Sequence, residues 1–198
     1  MLRRLDTRRL PIVLLQLPGV DPNTGLVTLA VGGIDADSND VFAACAPDPT
    51  SVACTDALNV SQARIVELPA KLLRTYAAVA VAVPRARIAM LGYPRLFNAG
   101  NPFGGKINQG TDVLNQVISG AVATAAATNS PRIRFVDVSQ EFLNHGFGAA
   151  VPYINYNPAD PMAPANFHPN ALGNLLGYYQ ALRNDDVLAG HPLVHSTL

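Results

Sequence analysis

Nucleophilic catalysis needs a base, a nucleophile and groups that hold them, and only four histidines occur in this chain. His168 is the best placed of them. Pro169 and Asn170 follow it and a helix-forming run comes next, so its backbone is restricted and its imidazole is a natural base near pH 7. His145, His191 and His195 read as solvated or capping residues. His191 and His195 are spaced i, i+4, but Pro192 intervenes and no Glu or Cys completes a ligand set, so no metal is expected. The serines are Ser38, Ser51, Ser61, Ser119, Ser130, Ser139 and Ser196, and none lies in a Gly-x-Ser-x-Gly elbow. Ser38, in DADSND, falls in a loop expected beside the histidine; it is a candidate nucleophile or a turn and capping serine. Asp35 and Asp40 flank it as carboxylates with either a site or a turn role. Cys45 and Cys54 allow one bridge at most. A thiol nucleophile there would need a histidine and electropositive surroundings, and neither is visible.

Three β-type runs position these groups: 26–31 (LVTLAV), Arg87–Leu91 (RIAML) and 133–138 (IRFVDV), each rich in Val, Ile and Leu and each followed by loop residues. Helical candidates cover 61–83, opened by Ser61 as cap and marked at Pro69 by a kink or restart, then 110–127 and 170–188. Strands alternating with helices imply parallel crossovers, so the expected architecture is a three-layer α/β/α sandwich around a parallel sheet. Ligands of such sheets sit beyond the carboxyl ends of the strands. The loops there are 32–39, 92–110 and 139–168, all rich in Gly, Asn and Pro. The last is long enough to carry a function.

Composition narrows the classes. The 198 residues include 14 Lys+Arg against 14 Asp+Glu, a formal net charge of +0. Without a basic cluster there is no surface for releasing counterions from phosphates, which argues against nucleic acid as a partner. Hydrophobic residues make up 49% and charged residues 14%, against about 25% charged in an average soluble domain. One domain covering 1–198 is expected, with no repeat and no linker. No apolar run reaches the roughly 18 residues that span a bilayer. The N-terminal MLRRLDTRRLPIVLLQLPGV superficially imitates a secretory signal, yet Asp6, the second arginine pair and the missing small-residue cleavage site favour an amphipathic helix or a strand. No Gly-x-Gly-x-x-Gly follows any strand, so no dinucleotide or flavin cofactor is expected. Asn59-Val60-Ser61 matches a glycosylation sequon, a short pattern that arises often by chance.

VTLAVGGIDADSNDVFAAC (27–45) resembles the third block of the SGNH (GDSL-like) esterases and lipases, where a strand runs into Gly-Gly-Asn-Asp. NFHPNALG (166–173) is similar to that family's last block, with the catalytic histidine, Pro-Asn and a helix. GYPRLF (92–97) is similar to the segment after the next strand in bacterial members. The three segments agree in order and spacing. The resemblance implies a flavodoxin-like sandwich and a carboxylic ester hydrolase acting on small-molecule or lipid esters. His168 would be its base, and Gly33 with Asp35 would form the oxyanion turn. It also implies secretion and a Cys45–Cys54 disulfide.

The departures matter as much. Nothing resembles the first two blocks, so the nucleophile serine and oxyanion glycine have no counterpart; Ile34 stands for the oxyanion Asn and Ala165 for the Asp three residues before the histidine. Losing one oxyanion donor costs about 10²- to 10³-fold in turnover, whereas without a nucleophile no acyl-enzyme forms. Ser38 is the candidate replacement. The expectation is an N-terminally incomplete domain lacking the first strand, whose exposed sheet edge invites a second copy. The alternative function is an inactive remnant that binds an acyl or glycan ligand, or acts through oligomerisation. Its apolar cleft would be lined by Tyr93, Phe97, Phe103, Tyr153, Tyr156 and Phe167, with Asn170 nearby.

Overall fold

Stiff, branched side chains pack best on a pleated surface, and in the computed structural model the three apolar runs do form strands. The structure describes residues 16–98, 100, 102–128, 132–157, 159–160 and 163–189, leaving aside the side chains of 102 and 103. Strand β1 is Leu26–Leu29, β2 is Arg87–Leu91 and β3 is Ile133–Val136. They form one sheet in the order β1-β2-β3. β1 and β2 run parallel, with Leu26 opposite Arg87 and Leu29 opposite Met90. Ile88 N donates to Arg132 O and Gly92 N to Val136 O, each at 2.9 Å. β1 and β3 end two residues earlier than expected, because the chain turns into loops at Ala30 and Asp137.

Ile88, Ala89 and Met90 in β2 are fully buried. This matches the continuous apolar run expected of a strand covered on both faces. An α/β sandwich on a parallel sheet is the fold class observed.

Two helices begin earlier than the sequence suggests. Helix α1 is Ser38–Cys45, and α2 is Val52–Ala82 rather than 61–83. Its cap is Ser51, whose Oγ accepts from Cys54 N at 3.1 Å. Ser61 instead lies inside the helix, where its hydroxyl donates to Ala36 O at 2.6 Å. α2 runs through Pro69 without ending, since the ring removes one donor while packing holds the remaining turns. Helix α3 is Pro102–Thr128 rather than 110–127, and proline is suited to a first helical turn. The C-terminal helix spans 171–184: Ala171 and Leu172, a π-helical segment Gly173–Tyr178, then α4, Tyr179–Asn184. It stops short of the expected 188.

Cys45 and Cys54 are bonded, joining the end of α1 to the first turn of α2. Closing a loop of that length stabilises by about 2.7 kcal/mol on the chain-entropy model.

The described residues group into two compact units, Met1–Met90 with Gln116–Phe135 and Leu91–Asn115 with Val136–Leu198. The first contains most of the sheet, with Leu68, Leu72, Tyr76, Val79 and Ile118 in its core. The second is centred on Phe97, Leu114, Val138, Phe142 and Tyr153. No helix among the described residues is long and apolar enough to cross a membrane. Of the N-terminal stretch expected to form an amphipathic helix or a strand, residues 1–15 lie outside the described residues, and Leu17–Gly19 is a 3₁₀ turn.

Candidate functional site

In the first unit the chain leaves β1 through Gly32, at φ +120°, a conformation that a side chain would strain. A 3₁₀ turn, Ile34–Ala36, follows, then Asp37 at φ +54°, then α1. Three side chains of α2 hold this turn. Ser61 bonds Ala36 O, Arg64 Nε lies 3.2 Å from Asp37 Oδ2, and Lys71 Nζ lies 3.3 Å from Asp35 Oδ1. Asp35 is therefore an anchoring carboxylate of the turn. Gly33 is buried, Ser38 is half-buried at the start of α1, and Asp40 is exposed. Ile34, at the family's oxyanion Asn position, is 69% exposed and apolar.

In the second unit the loop after β2 is gripped by α3. Asn115 Oδ1 accepts from Tyr93 N and its Nδ2 donates to Tyr93 O, both at 2.8 Å. Asn108, two turns earlier, repeats this on Phe97, accepting at 3.2 Å and donating at 2.8 Å. Between them Asp112 binds Arg95 through two contacts of 2.9 and 2.7 Å. The carboxylate holds the guanidinium's proton more firmly, mainly through the hydrogen bond. Tyr178 OH lies 3.4 Å from Gly92 O. Burial, with a smaller contribution from Tyr93, pushes its hydroxyl well above the usual tyrosine range.

His168 sits in the loop entering the C-terminal helix, with its imidazole exposed. Its backbone is fixed. Asn155 N donates to His168 O at 2.8 Å, Phe167 N to Asn155 O at 2.9 Å and Asn170 N to Tyr153 O at 2.8 Å. Asn166, buried, accepts from Asn157 N at 2.8 Å and donates to Asp160 O at 2.9 Å, tying the Pro-rich loop to the turn. Phe167 adopts φ +62°, a left-handed conformation that a bulky residue holds only when its surroundings over-determine it.

Phe167 packs with Phe97 and Tyr156, and Phe147 closes the group, with ring centroids 4.5 to 6.0 Å apart. Phe142 contacts Tyr153 and Tyr178 in a second group. Of the residues expected to line a cleft, Phe97 and Tyr153 are buried. They form packing beneath the His168 loop because neighbouring rings and backbone occupy their faces. Tyr93, Tyr156 and Phe167 are half-buried. Asn170 is engaged on both sides of its amide, accepting from Gly173 N at 2.9 Å and donating to Pro152 O at 2.7 Å, so it caps the helix.

Gly33, Asp35, Ser38, Cys45 and Cys54 thus lie in the first unit. Tyr93, Phe97, Tyr153, Tyr156, Phe167, His168 and Asn170 lie in the second. Ser130, His191, His195 and Ser196, and the side chain of Phe103, lie outside the described residues. Among the described residues no cluster of three His, Cys, Asp or Glu could hold a metal ion. Asn108, Asn115, Asn166, His145 and Phe147 were missed as site-building residues. The Asn-x₆-Asn spacing of the first two, two turns apart on one helix face, was the available signal.

These elements form an α/β fold that resembles that of the SGNH hydrolases, and comparison with known proteins bears out that resemblance. Over 179 residues the chain is 28% identical to lipase 1 of Streptomyces coelicolor, covering 84% of this chain and 62% of that protein. With a lipase of Streptomyces rimosus it shares 29% over 178 residues, 85% of this chain and 63% of the relative. The chain therefore spans under two thirds of the length of these curated relatives. The crystal structure of the extracellular lipase from Streptomyces rimosus superposes with a TM-score of 0.73 at 28% identity, covering 85% of this chain and 72% of that one. Phospholipase A1 from Streptomyces albidoflavus gives 0.74 at 26% identity, with the same two coverages. No family model matches the chain.

Proposed function

We propose that this chain hydrolyses carboxylic esters, lipid esters included, with His168 as general base. One observation carries the reading: an exposed imidazole on a backbone pinned by three main-chain hydrogen bonds, in a chain similar over about 85% of its length to lipases and a phospholipase A1. An exposed imidazole is available to take a proton, and a fixed backbone limits where it reaches. The nucleophile is unidentified or recruited, and Ser38 is the candidate for it. In the first step the proton of a serine hydroxyl passes to the imidazole base while the serine oxygen bonds the ester carbonyl carbon; the alkoxide then leaves with that proton as alcohol. Water, deprotonated by the same imidazole, cleaves the acyl-serine to carboxylic acid and regenerated serine. No cofactor enters this chemistry. Ile34 offers no side-chain donor, so any oxyanion contact from the turn at Gly33 would have to come from backbone N–H groups. Secretion is the reading that the extracellular relative and the disulfide, a bond that persists in oxidising compartments, support.

Ile34 favours a second reading. An exposed apolar side chain in place of an amide donor suits an SGNH fold that binds an acyl or glycan group without cleaving it, or that acts as an oligomer paired along the β1 edge. A fluorophosphonate probe with p-nitrophenyl acetate and butyrate separates the two. Labelling and turnover that vanish in both Ser38→Ala and His168→Ala support the esterase. Labelling that survives Ser38→Ala assigns another nucleophile, and no labelling of the parent supports the non-catalytic reading.

A further inference from the structure

His145 lies two segments away from His168 in sequence, yet it is tied to the same backbone. Its Nδ1 is 2.8 Å from Val151 O. A carbonyl can only accept, so Nδ1 carries the proton and Nε2 of the neutral ring is bare. The ring lies flat on Tyr153, with centroids 3.8 Å apart and planes 4° apart. The main chain adds a third tie, Tyr153 N donating to His145 O at 2.7 Å. One residue therefore fixes the carbonyl of Val151 and both the ring and the amide of Tyr153.

The next residues of that segment hold the His168 loop. Ile154 and Pro169 form an antiparallel bridge. Tyr153 O accepts from Asn170 N, and Asn155 exchanges bonds with Phe167 N and His168 O. The chain of contacts thus runs from the His145 imidazole through a buried tyrosine to the peptide groups on either side of His168. It also bears on the left-handed Phe167, which relaxes unless its neighbours forbid it. Asn166 fixes the far side of the loop; on the near side His145 acts beside Asn170, which donates to Pro152 O, and Phe142, which packs on Tyr153.

We propose that His145 is a positioning residue for His168, holding 151–153 in the register that aims the base. The proposal rests on the reading of His168 as base, and its experiment separates the two. In the unmodified protein, ¹⁵N shifts of the His145 ring should report the Nδ1–H tautomer; the Nε2–H tautomer overturns the proposal without any variant. His145→Phe keeps a ring on Tyr153 but loses the donor, and His145→Asn returns an N–H near the Nδ1 position.

Amide hydrogen exchange at Asn155, Phe167 and Asn170 should accelerate about tenfold or more in His145→Phe and return towards the parent in His145→Asn, while Ile88 in the sheet stays protected in both. Unchanged protection at the three amides, or an equal acceleration at Ile88, refutes it. Should His145→Phe not fold, the tautomer and the His145→Asn exchange pattern decide. If the parent turns over p-nitrophenyl butyrate, His145→Phe should lower kcat by about tenfold with KM nearly constant, since misplacement of a base costs rate before affinity. A loosened loop with undiminished kcat overturns the proposal. An inactive parent sinks the esterase reading and leaves the exchange result to decide this one.

Discussion

The same substitution, glycine to alanine, should act with opposite sign at Gly120 and Gly173. A Cβ at Gly120, inside α3, meets nothing within 4 Å. Alanine there gains helix propensity and restricts the unfolded chain, a stabilisation of about 0.5–1 kcal/mol. At Gly173 a Cβ collides with the carbonyl oxygen of Tyr153 and lies 3.0 Å from Pro169 Cβ and 3.2 Å from Tyr153 C. That oxygen cannot retreat freely, because it accepts from Asn170 N at 2.8 Å. Overpacking costs about 1–3 kcal/mol, and losing the bond costs about 1 kcal/mol more. Subtracting the propensity gain leaves a net loss of about 1–3 kcal/mol.

With 1 kcal/mol worth about 2–4 °C in a chain of this size, Gly120→Ala should raise Tm by about 1–4 °C and Gly173→Ala should lower it by about 2–12 °C. Urea unfolding followed by far-ultraviolet circular dichroism gives the free energies beside the melting points. A Gly173→Ala midpoint at or above that of the parent refutes the claim that the C-terminal helix approaches Tyr153 through a missing side chain.

Two further outcomes follow from the second unit. Asn115→Ala should cost about 2–3 kcal/mol, since it removes two part-buried hydrogen bonds to the backbone of Tyr93. Asp112→Ala should cost less than about 1 kcal/mol, because Arg95 is mostly exposed; equal losses in denaturant titrations would refute this ordering. For Tyr178, burial raises the folded-state value above the ordinary 10.0. The neutral hydroxyl is thus favoured in the fold, its contribution is complete below pH 10, and stability should decline above that by up to about 1.4 kcal/mol per pH unit. Tyr178→Phe should flatten this alkaline slope in stability measured from pH 9 to 11.5, and a slope as steep as the parent's would contradict the assignment.

Much of the frame was legible in the residues. Arg87–Leu91 reads as a buried strand because nothing polar interrupts Ile88 to Leu91, and it forms one. The cysteine pairing followed from the family resemblance and is present. The start of α2 was misplaced because two serines, Ser51 and Ser61, both precede apolar helical repeats; the hydroxyl that bonds Cys54 N decided it, and only tertiary structure shows that Ser61 reaches Ala36. α3 was cut short at its glycines, whose low propensity is overridden where Asn108 and Asn115 dock on the 93–97 loop. The candidate site was less legible. Aromatic residues in loops suggest a ligand surface, yet Phe97 and Tyr153 are enclosed by Phe147, Phe142 and His145, partners that sequence distance conceals.

The paired amides of α3 also bear on how this region can vary among relatives. From Asn108 to Asn115 the helix advances about 10 Å, while the four steps from Tyr93 to Phe97 cover at most about 13 Å of extended chain. An inserted or deleted residue in that stretch would leave one asparagine facing the wrong peptide, so drift there should proceed by exchange of side chains at Pro94, Arg95 and Leu96. Length changes should collect instead in the Pro-rich excursion ahead of Asn166.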